Sequence, residues 1–229
     1  RGILEYAKDT EWGKAHNFSE ILAASTPEEL YSRWQKNVPP QDYEDLRPFV
    51  ERHKNGEENV LLPGKPKMYA TTSGTTNTPK WIPITNEYYD NVYSKMTNIW
   101  LYTFLMHRPK CFEGPAISIV GKAIEGAAPD GTVYGSVSGV TRRDIPEFVK
   151  PIHSAPADVF DIKDYTARYY TIMRIGIEQN VHIIITANPS TIVEMQNNAN
   201  EFFDQYVTDI ENGTLNKDLK IEPDVRAKL

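Results

Sequence analysis

Val181-His-Ile-Ile-Ile-Thr186 stands between two stretches of helical periodicity, and this arrangement restricts the chain more than any other feature. A near-continuous apolar run of that kind is what a strand covered on both faces of a parallel sheet requires. Ahead of it, Ile162, Tyr165, Tyr169, Ile172, Met173 and Ile177 recur at helical spacing, which predicts a helix over 161–177 with these residues inward. Behind it, Asn188-Pro189 caps and opens a helix along Ile192, Met195, Ala199, Phe202, Tyr206 and Ile210. Helix, buried strand and helix in succession argue for an α/β fold, a layered mixed sheet with flanking helices. The turn at 187–191 then lies at the C-terminal end of a strand, where ligands bind in open α/β sheets. Ser190 and Thr191 are its candidate ligand-contacting hydroxyls.

The second informative stretch is Met68-Tyr-Ala-Thr-Thr-Ser-Gly-Thr-Thr-Asn-Thr-Pro-Lys-Trp-Ile-Pro-Ile-Thr85. Met68–Thr72 and Lys80–Thr85 are rich in β-branched and aromatic residues, and the polar cluster between them is an ordinary turn signal. The same cluster suits an anion. Gly74 lets backbone approach a ligand closely, and successive N–H groups in such a turn can form a nest for phosphate oxygens. Thr71, Thr72, Ser73, Thr75 and Thr76 add neutral hydroxyl donors, and Lys80 adds one mobile positive charge. It is not a Walker loop, because Pro79 precedes Lys80, Trp81 follows it, and no helix starts there.

Elsewhere the pattern is mostly helical. Thr26-Pro-Glu-Glu29 combines an N-cap, a first-turn proline and a glutamate at the capping-box position, followed by Leu30, Tyr31 and Trp34. Pro40 opens a helix with Tyr43, Leu46, Phe49 and Val50 on one face, ending near Gly56. A long helix from Asn86 shows Tyr89, Val92, Tyr93, Met96, Ile99, Trp100 and Phe104 as one stripe, read as core ahead of a ligand-lining face. Ala116–Val120 and Thr132–Val137 read as a β-hairpin around a Gly-rich connection. Residues 135–156 look irregular, with the basic pair Arg142-Arg143 solvated.

Charge and cysteine content exclude several classes. The 229 residues carry a net charge of −6 and no basic block, so nucleic acid and anionic membrane are poor partners. No apolar run approaches the ~20 residues of a membrane helix. Cys111 is alone, which fits a reducing cytoplasm. His16, His53, His107, His153 and His182 show no metal-ligand spacing, and His182 reads as a satisfied core histidine.

The loop resembles the Ser/Thr-Ser-Gly-Thr-Thr…Pro-Lys element of adenylate-forming enzymes. Pro79-Lys-Trp-Ile-Pro-Ile-Thr85 narrows the resemblance to the auxin-responsive (Gretchen Hagen) acyl-acid amido synthetases, on their bacterial-type side. Thr10-Glu-Trp-Gly-Lys14 and Val207-Thr-Asp-Ile-Glu-Asn-Gly-Thr-Leu215 are similar to elements of that family, and the resemblance runs from about Leu4 to Leu215. It implies an ATP- and Mg²⁺-dependent ligase that adenylates a small-molecule acyl acid and passes the acyl group to an amino acid amine. The phosphate-loop residues would be Thr71, Thr72, Ser73, Gly74, Thr75, Thr76 and Lys80, and the acyl acid would lie near Ser190 and Thr191. Asn77-Thr78 stands where family members often carry glycine. The adenine-contacting motif and the C-terminal domain of the family have no counterpart here. The expectation is therefore a fragment, inactive alone: an incomplete N-terminal adenylation domain with a helical lead-in (1–60), phosphate loop (68–85) and α/β segment (86–229). An acyl-CoA ligase of the same superfamily and a non-catalytic ligand-binding remnant are the alternatives.

Overall fold

A computed structural model describes residues 1–72, 79–145, 147 and 150–229. Helices α1 (Gly2–Ala7), α2 (Glu11–Ala15), α3 (Phe18–Leu22), α4 (Pro27–Asn37) and α5 (Tyr43–Lys54) lead to strands β1 (Met68–Thr71) and β2 (Trp81–Ile84). The short α6 (Asn86–Tyr88) passes through a π-helical turn at Tyr89–Tyr93 into α7 (Ser94–His107). Then come β3 (Ala116–Ile119), β4 (Gly126–Ala127), β5 (Val133–Gly135), α8 (Val137–Arg143), α9 (Tyr165–Glu178), β6 (Ile183–Thr186), α10 (Ser190–Glu201), α11 (Phe203–Asn212) and α12 (Pro223–Arg226). The mixed α/β class expected from the sequence holds. The chain divides into two units, residues 1–94 with 124–135, and 95–123 with 136–229.

In the first unit, Leu4, Ala7, Phe18 and Ile21 form a small helical core, with Trp12, Leu30 and Trp34 packed on it. The Thr-Glu-Trp-Gly-Lys stretch has a mechanical explanation. Thr10 caps α2 by accepting from Gly13 N–H at 3.0 Å and donates to the Ala7 carbonyl at 2.7 Å. A Cβ on Gly13 would lie 2.1 Å from that same carbonyl oxygen, so only glycine lets α2 approach α1 this closely. Glu11 receives two hydrogen bonds from Arg52, at 2.9 and 2.6 Å, fastening α2 to α5. Helix α5 starts at Tyr43, later than the expected Pro40. Asp42 forms a full capping box, accepting from Glu44 and Asp45 N–H while the Asp45 carboxylate accepts from Asp42 N–H.

The first unit's strands run in the order β2-β1-β5-β4. β1 and β2 are antiparallel with Met68 opposite Ile84 and Thr71 opposite Trp81, while β5 lies parallel to β1. Val50 of α5, Tyr69 of β1 and Ala128 form a buried cluster, with Trp81 and Tyr134 packed against it.

The second unit pairs β3 with β6 in parallel, from Ala116–Ile183 to Ile119–Thr186. Its core gathers Ile117, Val159, Phe160, Ile162, Ala167, Ile172 and Met195. A Cβ on Gly176 would meet the Ile117 side chain at 2.6 Å, so α9 rests directly on β3. Asp209 joins α9 to α11, accepting from Tyr170 Oη, Thr214 Oγ1 and Asn216 N–H, each at 2.7 Å. Arg174 donates to the carbonyls of Asp209 and Thr214, and Gly213 ends α11 in the left-handed conformation at φ +63°. The Asp-x-x-x-Gly-Thr spacing in the family-like ending is thus the spacing of a helix terminator and its carboxylate anchor.

Several expectations are corrected. The residues read as a hairpin enter different sheets: β3 pairs with β6, and β5 pairs with β1 and the short β4. Gly135 to Pro156 includes α8, and Arg142 is buried at 7 % exposure. Tyr165 and Ile177, the first and last-but-one residues of α9, are exposed at its ends, whereas Tyr170 and Thr171 in its middle face the core. β6 is not covered on both faces among the described residues, since Ile184 is 45 % exposed. The α7 stripe is not core among them either. The π-turn resets the helical phase, and apolar residues then occur all around α7, leaving Met96, Ile99, Trp100 and Met106 at least half exposed.

Candidate functional site

The site grows from the β1–β2 hairpin. Thr71 ends β1, and Thr72 N–H donates to the Lys80 carbonyl at 3.1 Å, continuing the ladder one step past the strands. Lys80 N–H lies 3.4 Å from Thr72 Oγ1. The loop is therefore closed at its base, with Thr72 and Lys80 both exposed. Ser73, Gly74, Thr75 and Thr76 lie outside the described residues. Of the expected phosphate-loop residues, the structure thus brings together Thr71, Thr72 and Lys80.

Helix α5 supplies neighbours that the sequence reading missed. Tyr43 Oη accepts from Trp81 N–H at 2.6 Å and donates to the Trp81 carbonyl at 3.0 Å. The Lys80 ammonium lies 5.5 Å from the centre of the Tyr43 ring, and the Arg47 guanidinium lies 4.8 Å from it. Arg47 also reaches the Pro79 carbonyl at 3.4 Å and grips Glu44 with Nε and Nη2, at 2.7 and 2.8 Å. The Arg47 hydrogen bond holds the Glu44 carboxyl below its usual range, with a further contribution from Lys80. Periodicity alone places Tyr43 on an apolar helix face. Its spacing four residues from Arg47 was the available signal, since positions i and i+4 share a face. Chemically, the described part of the loop mouth offers the exposed Lys80 ammonium and the Thr72 hydroxyl, groups that suit phosphate oxygens. The described residues contain no cluster of His, Cys, Asp or Glu able to hold a metal ion.

In the second unit, Ser190 is exposed at the start of α10 and Thr191 is buried. An apolar cleft of about 500 Å³ in the same unit is lined by Ile184, Ile192, Met195 and Met173 together with His182 and Gln196, and neither Ser190 nor Thr191 is part of its lining. His182 is satisfied as expected, its Nδ1 2.9 Å from the Lys110 carbonyl, although it is half-buried.

His153, Ser118 and Arg142 form a further cluster in that unit. Ser118 Oγ sits 2.9 Å from His153 Nδ1, and burial beside Arg142 pushes the imidazole down to about 4, so it stays neutral. Arg142 donates to the Ala155 carbonyl at 2.9 Å, while its Nε and Ser154 Oγ are buried with no hydrogen-bond partner among the described residues. No described carboxylate orients this histidine, so the pair lacks the third member of a nucleophilic triad.

No helix among the described residues is long and apolar enough to cross a membrane. A stretch of 91 residues is 38% identical to a protein named probable indole-3-acetic acid-amido synthetase GH3.13 from Oryza sativa subsp. japonica, covering 38% of this chain and 19% of that one. A stretch of 56 residues is 43% identical to indole-3-acetic acid-amido synthetase GH3.15 from Arabidopsis thaliana, covering 24% and 9%. Both are plant proteins and lend the bacterial-type assignment no support. Among solved structures, GH3.15 acyl acid amido synthetase superposes with a TM-score of 0.74 at 17% identity, over 99% of this chain and 42% of that one. AtGH3.15 acyl acid amido synthetase in complex with 2,4-DB gives 0.73 at 18% identity, over 99% and 39%. These two likenesses establish the fold, and the chain spans about two fifths of their length. The family model described as GH3 family N-terminal domain matches residues 1–229, and the chain belongs to the GH3 family.

Proposed function

We propose that this chain carries the nucleotide-phosphate-binding part of an ATP-dependent acyl-acid amido synthetase. The observation that carries the reading is the hairpin closed by Thr72 N–H and the Lys80 carbonyl, with an exposed ammonium at its mouth. Family membership supports it. In the first step a carboxylate oxygen of the acyl acid attacks the α-phosphorus of ATP. A P–O bond forms, the bond to the β-phosphate oxygen breaks, and pyrophosphate leaves. In the second, an amino acid amine attacks the acyl carbon, the C–O bond to phosphate breaks, and AMP departs as the nitrogen loses a proton.

Negative charge builds on the phosphates, so positioned donors do most of the work. Lys80, the Thr71 and Thr72 groups, and Ser73, Gly74, Thr75 and Thr76 are assigned to the β- and γ-phosphates. Neutral hydroxyls hold a polyphosphate without retaining it, which suits release of pyrophosphate. Ser190 and Thr191 are assigned to the acyl acid. No residue of this chain is assigned to Mg²⁺, and the described residues contain no group of three or more His, Cys, Asp or Glu able to hold a metal ion.

Acid-dependent ATP–pyrophosphate exchange in the intact protein tests the reading, with an acid panel starting from indole-3-acetic acid and 2,4-DB. Exchange that requires one of the acids supports adenylation. No exchange with any acid, in folded protein, removes it. Coenzyme A supplied against amino acids then separates thioester from amide formation.

A further inference from the structure

We propose that Tyr43 is a positioning residue for the phosphate loop, its hydroxyl fixing the backbone beside Lys80 and its ring seating the Lys80 ammonium. The proposal rests on the functional reading above and adds to it a residue outside the loop.

The geometry follows from strand chemistry. In an antiparallel pair, successive residues turn their N–H and C=O alternately toward and away from the partner. The Lys80 carbonyl takes the Thr72 N–H, so the N–H and C=O of Trp81 face outward from β2, which is an edge strand. Such groups need partners. One Tyr43 hydroxyl meets both, at 2.6 and 3.0 Å, taking the place of a neighbouring strand. Its two bonds end on the residue directly after Lys80, so they set where the lysine side chain begins.

The ring acts on where that side chain ends. A lysine stem has four rotatable bonds and loses considerable rotamer freedom when it is fixed on a ligand. The Tyr43 ring lies 5.5 Å from the Lys80 ammonium, within cation–π range, and narrows those rotamers before phosphate arrives. Arg47, one turn further along α5, touches the same ring and the Pro79 carbonyl, which limits movement of the ring itself. Helix α5 is in turn fixed by the Asp42 capping box and by Arg52 on Glu11. The chain of support therefore runs from a capped helix, through one phenol, to the backbone and charge at the loop mouth.

Calorimetric titration of inorganic tripolyphosphate onto the intact protein tests this, comparing wild type with Tyr43→Phe, Tyr43→Leu, Lys80→Ala and the double variant Tyr43→Leu/Lys80→Ala. Tyr43→Phe keeps the ring and loses the two backbone bonds, and affinity should fall about fivefold. Tyr43→Leu also loses the ring, and the fall should reach about 20-fold. Because Tyr43 acts through Lys80, the Tyr43→Leu effect should shrink to about threefold or less once Lys80 is alanine. An additive double variant overturns the proposal, since it would mean a general loss of structure in place of positioning. So does binding by both Tyr43 variants within twofold of wild type, while wild-type binding keeps the functional reading intact. A wild-type protein that binds no tripolyphosphate, although folded, overturns the functional reading and this proposal with it.

Discussion

At the scale of single residues, charge and its immediate surroundings decide what each group can do. Lys80 sits exposed at a backbone-closed loop end, so its removal should touch ligand binding and little else. Lys80→Ala is expected to weaken Mg·ATP binding about tenfold or more and to leave unfolding free energy within about 0.5 kcal/mol. Paired titrations and thermal melts check both halves. His153 makes the opposite case, a group whose effect appears in stability. Its folded pKa of about 4 lies below the ordinary 6.5, so the unfolded chain binds more protons between those values. Stability from this group is therefore complete above about pH 6.5 and declines as pH falls toward 4. The groups facing the imidazole, Ser118 and the Arg142 cation, supply no negative charge to offset protonation. Some solvent still reaches the ring, so the decline should be about 1–2 kcal/mol. Melts of wild type and His153→Asn at pH 7 and pH 4.5 isolate it, because other carboxylates titrate equally in both proteins. A matching decline in the variant would disprove the assignment.

At the scale of elements, two devices fix helices that could otherwise shift. The Asp42 capping box sets the start of α5 and so the rotational phase of Tyr43 and Arg47. Asp42→Ala should cost about 1 kcal/mol of stability, read from denaturant unfolding. It should also weaken tripolyphosphate binding modestly, by loosening the same helix. Asp209 ties α9 to the end of α11. Burial alone would raise its carboxyl, but the bonds from Tyr170, Thr214 and Asn216 outweigh burial and hold it below the usual range. That stabilisation is present above the unfolded carboxylate range and is lost as pH falls through the lowered folded value. Asp209→Asn keeps the shape but replaces charged acceptors with a neutral amide, at a cost of about 2 kcal/mol. An unchanged denaturation midpoint would show that the three bonds contribute nothing net.

At the scale of the whole molecule, α7 is the outstanding surface. Met96, Ile99, Trp100, Tyr102 and Met106 are 50 to 66 % exposed, more apolar area than a scatter of single residues. Ile99→Lys with Met106→Lys should leave the melting temperature nearly unchanged in thermal unfolding. A large drop in melting temperature would instead mean that these side chains are packed in solution. The same helix shows what the sequence could and could not reveal. The existence of α4, α5, α9, β1, β2 and β6 was legible from caps and periodicity, which are local. Which face is buried was not, because it depends on partners distant in sequence: Tyr170 faces the core where Tyr165 was expected, and α7 lies open. The β3 and β5 pairings failed for the same reason, since nearness in sequence suggested a hairpin and long-range parallel partners decided otherwise. At the site, the two strands that flank the loop were legible from their β-branched and aromatic residues around a polar turn signal. Tyr43 was not, because an aromatic at helical spacing reads as core until its hydroxyl is placed. The closed hairpin base has one more consequence, for change over evolutionary time. Since the strands already hold the loop ends together, lengthening the connection by one residue adds only ~0.1 kcal/mol of closure entropy. Insertions and replacements between Thr72 and Lys80 can then be tried with little effect on folding, so on the proposed function ligand binding becomes the main filter on what survives there.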